Sequence, residues 1–363
     1  MTRGNDTTSA SMSDHDHHHD CDGRKSDVSR REFLHRGGAL VAGATLGLAA
    51  GGLTAAESDI REFLREKGPI PRRVLGRTGV QVPILGLGTA LLGHQNHNQP
   101  ELKKLVDCFS EAIDLGITYV DTARIYGRAE EALGHVLRGG RREEVFLVTK
   151  CMKDSREEAQ KSFETSLRKL QVESVDLLHL HSTGGRDIDR VLGAGGAWEY
   201  LLEMKRQGKT RFVGITGHNR PANFVRMLET DTVDVMMVAM NFVDRHVYGF
   251  EKKVLPVARK HRTGVMAMKV YGGVQGKGFR NYDKPKPYPS QMEAKYHDRA
   301  VRYARSLEGV TGMVIGVHTK EQLHANIRRV LEARPLSKEE FAALVKVGES
   351  YAPEWTPRFG PVT

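Results

Sequence analysis

From about residue 70 onward, short apolar runs alternate with amphipathic stretches at a spacing near thirty residues, the pattern of a repeated strand-helix unit. Eight runs read as strands: 84–89, 118–122, 145–150, 175–181, 211–216, 233–241, 264–270 and 312–317. Between them, Leu102, Val106, Phe109 and Ile113, and again Ala159, Phe163, Leu167 and Leu170, recur every three to four positions and so share one face of a helix. Eight such units predict a (β/α)8 TIM barrel, which ordinarily occupies about 250 residues as one domain. A doubly wound dinucleotide fold is the competing architecture, but Gly86-Leu87-Gly88-Thr89-Ala90-Leu91 lacks the third glycine of its fingerprint.

The chain has 363 residues, and the surplus divides around the barrel. Residues 1–56 read as a leader, 57–72 as a linker, 73–335 as the barrel and 336–363 as a C-terminal helix and tail. Arg73 to Pro83 forms a small hairpin turned at Gly79 and placed to close the barrel bottom. Ser337-Lys338-Glu339-Glu340 is a helix start, and the tail beyond it is positioned to cover the active-site mouth.

In a TIM barrel the reacting residues lie at the carboxyl ends of the strands. Three consecutive strands end in titratable groups: Asp121, Lys150 and His181, with Tyr126 in the loop just beyond the first. Neighbouring strands are about 5 Å apart, so the four side chains can converge. A phenol is a poor acid or base at neutral pH, but an ammonium beside it favours the phenolate. Lys150 can supply that charge, Asp121 can hold Lys150 in place, and a neutral His181 can donate a hydrogen bond to a substrate oxygen. His179 and His181 lie two apart on one strand and share a face, which raises a metal site. No third ligand has an evident position, so no metal is expected, and His179 reads as a barrel-interior histidine.

Asp121-Thr122-Ala123, Tyr126-Gly127, the block Ala129-Glu130-Glu131-Ala132-Leu133-Gly134, Val148-Thr149-Lys150 and Asp176-Leu177 followed by His181 resemble, in order, the motifs of the aldo/keto reductases. The resemblance runs from about Arg73 to about Val330. It implies a catalytic tetrad of Asp121, Tyr126, Lys150 and His181, hydride exchange with a nicotinamide dinucleotide, and a carbonyl or alcohol substrate such as an aldehyde, ketone or sugar. Tyr126 would protonate the carbonyl oxygen and His181 orient it, while the hydride chemistry belongs to the cofactor.

The cofactor-binding positions implied by the resemblance are Thr216, Met237, Met268, Lys269, Gly316, Lys320, Gln322 and Asn326. Several depart from the family's usual residues. Thr216 keeps a hydroxyl after the fifth barrel strand, but Gly217 cannot supply the usual amide; Met237 stands for a glutamine, and Met268 beside Lys269 for a ring-stacking aromatic. Gln322 stands where an arginine is often found. Lys320 and the helix N-terminus after it can still attract the adenosine 2′-phosphate, so NADP(H) is the preferred cofactor with NAD(H) possible, and Asn326 is expected near the adenine. The altered nicotinamide positions leave a second reading, a cofactor-binding sensor or regulatory subunit with little turnover.

Ser29-Arg30-Arg31-Glu32-Phe33-Leu34 precedes an uncharged, small-residue run from Gly37 to Ala50. This resembles a twin-arginine export signal, with Thr54-Ala55-Ala56 offering a cleavage site. It implies the Tat translocase as a partner during export and a periplasmic or otherwise extracytoplasmic destination. The tract Asp14 to Cys21, rich in histidine, reads as a disposable leader. The net charge of +10 arises from basic residues interspersed with acidic ones, which excludes a nucleic-acid-binding stripe and suits anionic cofactor phosphates. Three cysteines, Cys21, Cys108 and Cys151, make no disulfide framework, and the last two read as packing residues.

Overall fold

The computed structural model describes residues 55–93, 101–273, 292–355 and 357–363. The twin-arginine motif, the apolar run after it and the histidine-rich tract lie outside the described residues.

Eight parallel strands close into a barrel in the order β10-β3-β4-β5-β6-β7-β8-β9: β3 (Leu85–Gly88), β4 (Tyr119–Asp121), β5 (Phe146–Cys151), β6 (Val175–His181), β7 (Thr210–Gly217), β8 (Val235–Ala239), β9 (Gly264–Met268) and β10 (Gly312–Gly316). Helices on the outside bury the other strand face, which is why the strands read as nearly continuous apolar runs. Strands β8 and β9 stop short of the runs 233–241 and 264–270 read from the sequence. Beyond β8, the Asn241 side-chain oxygen accepts hydrogen bonds from the N–H groups of Val243 and Asp244 and turns the chain. Beyond β9, Lys269 enters the left-handed region at φ 55.

The two-residue period of a strand sorts side chains between the faces. One cluster collects Tyr119, Phe146, Val148, Leu177, Val235, Met237, Met266, Met268 and Val314, with Tyr119 and Phe146 stacked at 5.3 Å. Following each strand two residues further brings Asp121, Lys150, His179 and His181, and Thr216 towards the carboxyl ends on the same face. At the amino ends, an antiparallel hairpin of β1 (Arg72–Val74) and β2 (Gln81–Pro83) adds Leu75, Val80 and Val82 to that cluster. Leu75 sits so close to the start of β9 that a Cβ on Gly264 would come within 2.8 Å of it.

The stretch read as a linker, 57–72, is mostly structured. A helix runs Ala55–Lys67, burying Ile60 and Phe63. The three-residue spacing of those two side chains is an amphipathic signal, and ion pairs from Glu57 to Lys320 and Asp59 to Arg328 hold the helix against Lys320–Glu332. The C-terminal helix Lys338–Trp355 starts at the predicted place, where the Ser337 hydroxyl accepts from the Glu340 N–H and the Glu340 carboxylate accepts from the Ser337 N–H. The tail then crosses loops that follow β7, β8 and β9: Arg358 forms a bidentate pair with Asp244 and donates to the Gly272 carbonyl, the Phe359 N–H donates to the Tyr248 hydroxyl, and the Arg220 N–H donates to the Pro361 carbonyl.

Candidate active site

Asp121, Lys150 and His181 close three adjacent strands, and the strand registers set their heights. The Lys150 ammonium lies 2.7 Å from the Asp121 carboxylate and donates to the Thr122 carbonyl at 2.7 Å. The Lys150 side chain is wholly shielded from solvent. Burial pulls its pKa below the ordinary lysine value against the opposing charge of Asp121, and burial raises Asp121 against the opposing charge of Lys150. Each charge is therefore tolerable only because the other is there.

Tyr126 joins from the turn after β4, where its N–H donates to the Ala123 carbonyl. The ammonium of Lys150 is 4.7 Å from the centroid of its ring, and the imidazole of His181 meets the ring edge-on at 5.8 Å. The structure thus brings together all four residues singled out from the sequence. It also supplies the brace for the turn. Buried Glu130 accepts from Thr149 at 2.8 Å and pairs with Arg124 at 3.1 Å, tying the Tyr126 loop to the strand that carries Lys150. Its signal was present in the block Ala129 to Gly134. The glycine of that block permits close helix packing, since a Cβ on Gly134 would lie 2.4 Å from the Lys169 carbonyl oxygen.

His179 is fully buried beside Lys150 and Gly214 in the strand register. Burial, and then the charge of Lys150, holds its pKa well below the usual imidazole value, and the missing side chain of Gly214 makes room for its ring. Cys151 points to the opposite face from Lys150. Its thiol is pushed up to about 12 by burial, which leaves it unreactive.

A model of the aldo/keto reductase family matches residues 84–299. The chain belongs to the aldo/keto reductase family. Among similar proteins, L-galactose dehydrogenase of Arabidopsis thaliana is 27% identical over 307 residues, covering 75% of this chain and 91% of that protein. The holo form of an aldo-keto reductase from Bacillus halodurans superposes with a TM-score of 0.61 at 25% identity, over 77% of this chain and 96% of that one. An aldo-keto reductase from Klebsiella pneumoniae in complex with NADPH shares the fold, with a TM-score of 0.59 at 22% identity over 77% and 94% of the two chains. This chain is accordingly an enzyme of the NAD(P)H-dependent oxidoreductase class.

Around the rest of this aldo/keto reductase mouth, the other expected positions fall into three groups. Thr216, Met237 and Met268 are neighbours: Thr216 is in register with Met237, and its hydroxyl lies 4.0 Å from the Met268 sulfur. All three are buried. Lys269 follows at the mouth, its pKa lowered to about 8 by burial first and by Arg358 second. Gly316 faces Gly88 across the β10–β3 pair so closely that a Cβ on Gly88 would lie 3.1 Å from the Gly316 nitrogen. At the start of the next helix, Gln322 accepts from the His318 N–H at 2.8 Å, while Asn326 accepts from the Tyr271 hydroxyl at 2.9 Å.

These residues fit a dinucleotide. The Thr122 hydroxyl and the Asn219 amide nitrogen are buried at the ends of β4 and β7 with no hydrogen-bond partner among the described residues, a cost of about 1–3 kcal/mol each that a polar ligand would relieve. Gly88 and Gly316 approach with no side chain between their backbones, and Lys320 supplies a cation at the start of the helix that follows. Neither Thr122 nor Asn219 was singled out from sequence as a site residue: Thr122 adjoins Asp121, and Asn219 lies three residues beyond Thr216.

Proposed function

We propose that this chain exchanges hydride between NADP(H) and a small carbonyl or alcohol substrate, an aldehyde, ketone or sugar, with Tyr126 as its proton donor and acceptor. The observation that carries the reading is a wholly buried ammonium, fixed by Asp121, lying against the ring of a tyrosine that also meets a histidine edge. Lys150 stabilises negative charge developing on the Tyr126 oxygen. His181 donates a hydrogen bond to the substrate oxygen, and Tyr126 gives that oxygen its proton in reduction or removes it in oxidation. Thr216, Met268 and Asn219 would hold the nicotinamide, with Gly88, Gly316 and Lys320 at the phosphates. When bound, the cofactor supplies or accepts the hydride.

The Arabidopsis relative is named for a sugar dehydrogenase and the Klebsiella structure was solved with NADPH. Both support this chemistry. The reading is tested by titrating the purified chain with NADPH and NADH and then following cofactor oxidation by a panel of aldehydes, ketones and sugars. Binding followed by oxidation is the expected result. Binding without turnover on any substrate would favour the sensor reading, whose supporting observation is the presence of two methionines, Met237 and Met268, where the family resemblance implies an amide and an aromatic ring. Export through the twin-arginine pathway belongs to the same proposal and rests on the motif at 29–34. Fractionation of expressing cells, with the leader arginines replaced by lysine as the control, tests it.

A further inference from the structure

The adenosine end of the site departs from the expectation of a cation waiting for a phosphate. The Lys320 ammonium lies 2.8 Å from the Glu57 carboxylate and 2.7 Å from the Glu111 carboxylate. Glu111 is buried and also contacts His324 Nε2 at 2.6 Å, so it belongs to the core between the helices Leu102–Asp114 and Lys320–Glu332. Glu57 comes from elsewhere. It sits near the start of Ala55–Lys67, a helix that precedes the hairpin and forms no part of the strand-helix repeat. The remaining bases of Lys320–Glu332 are likewise matched, Arg328 by Asp59 and Arg329 by Asp298. Burial lowers the pKa of nearby His318, disfavouring its charged form.

We infer that Glu57 is a specificity-determining residue: its carboxylate competes with the adenosine 2′-phosphate of NADP(H) for Lys320 and so narrows the preference for NADP(H) over NAD(H). The inference rests on the reading of this mouth as a dinucleotide site. A 2′-phosphate must either displace Glu57 from the shared ammonium or lie beside it with like charge, and both weaken binding. A 2′-hydroxyl brings no charge and leaves the ion pair intact. Glu111 cannot be the adjustable partner, because it is buried and shared with His324. Glu57 can be altered without opening the core, since the helix that carries it is anchored independently by Ile60 and Phe63.

The test uses the full chain with Glu57→Gln, Asp59→Asn and Lys320→Met, measuring dissociation constants for NADPH and NADH by fluorescence titration. Glu57→Gln should tighten NADPH about threefold, the size of one partly exposed ion pair, and leave NADH unchanged. Asp59→Asn removes the ion pair to Arg328 that also joins this helix to Lys320–Glu332 and should leave the NADPH to NADH ratio where it is, which separates competition at Lys320 from mere loosening of the helix. Lys320→Met should weaken NADPH about tenfold, and combining it with Glu57→Gln should abolish the gain. An unchanged ratio in Glu57→Gln, or an equal shift for both dinucleotides, would overturn the inference while leaving the dinucleotide site intact. Failure of the unaltered chain to bind either cofactor would overturn the site reading itself, and the inference with it.

Discussion

The polar residues at the ends of β4 and β5 are secured by partners close in sequence: Lys150 by Asp121 at a separation of 29 residues, and Thr149 by Glu130 at 19. Around the ends of β7 to β10 two ion pairs draw a partner from an extremity of the chain. Arg358 reaches back 114 residues to Asp244, and Lys320 meets Glu57 across 263. The proposed proton-transfer side is thus built by the barrel repeat itself, whereas the proposed cofactor side is finished by an added N-terminal helix and a C-terminal tail.

Breaking the first region should cost most. Lys150→Met leaves the Asp121 carboxylate buried without its counter-charge, and urea unfolding should show a loss of about 3–5 kcal/mol. The double variant Asp121→Asn with Lys150→Met should recover much of it. Equal loss in the single and double variants would mean that the pair is not the unit it is taken to be.

In the second region, Arg358→Ala should destabilise by about 3 kcal/mol, because both members of its pair with Asp244 are buried. Arg358→Lys should not restore the loss, since a lysine cannot make the two-pronged contact and also reach the Gly272 carbonyl. Full rescue by lysine would reduce that contact to simple charge.

Lys269 sharpens the comparison through pH. Its folded pKa is depressed to about 8, so between about 8 and the ordinary lysine value near 10.4 the unfolded chain holds a proton that the folded chain has lost. Stability attributable to this residue therefore rises with pH across that window and is penalised below it. Lys269→Met should compare best with the unaltered chain at pH 7, and the difference should move by about 2 kcal/mol in favour of the unaltered chain by pH 10. A difference that stays flat with pH would show that Lys269 is not held in a desolvated, positively charged setting. The smallest effect is expected at the tail's own start, where Ser337→Ala removes one helix cap and should lower stability by about 1 kcal/mol.

The same contrast explains how much could be read in advance. Strand ends carrying Asp121, Lys150 and His181 were visible because a TIM barrel places chemistry at those ends and the apolar runs located them. The hairpin turn at Gly79 and the cap at Ser337 were visible because each is a local rule of backbone geometry. The Ala55–Lys67 helix was missed, although Ile60 and Phe63 carry its periodicity, because a short amphipathic stretch between a leader and a domain reads equally as a connector until its partner face is known. Neither Glu57 at Lys320 nor Asp244 at Arg358 has a sequence signal, since ion pairs across such separations are set by the closed fold. Glu130 is intermediate: its block was recognisable, but its work of tying the Tyr126 turn to Thr149 emerged only when β4 and β5 were side by side.

The most direct test of the account is hydride transfer in a single turnover, comparing the unaltered chain with Tyr126→Phe while dinucleotide affinity is measured on the same samples. Tyr126→Phe is expected to bind cofactor as before and to transfer hydride to its best carbonyl substrate about a thousandfold more slowly, within the range for losing a positioned proton donor. Transfer at an undiminished rate by Tyr126→Phe would contradict the proposed role of Tyr126.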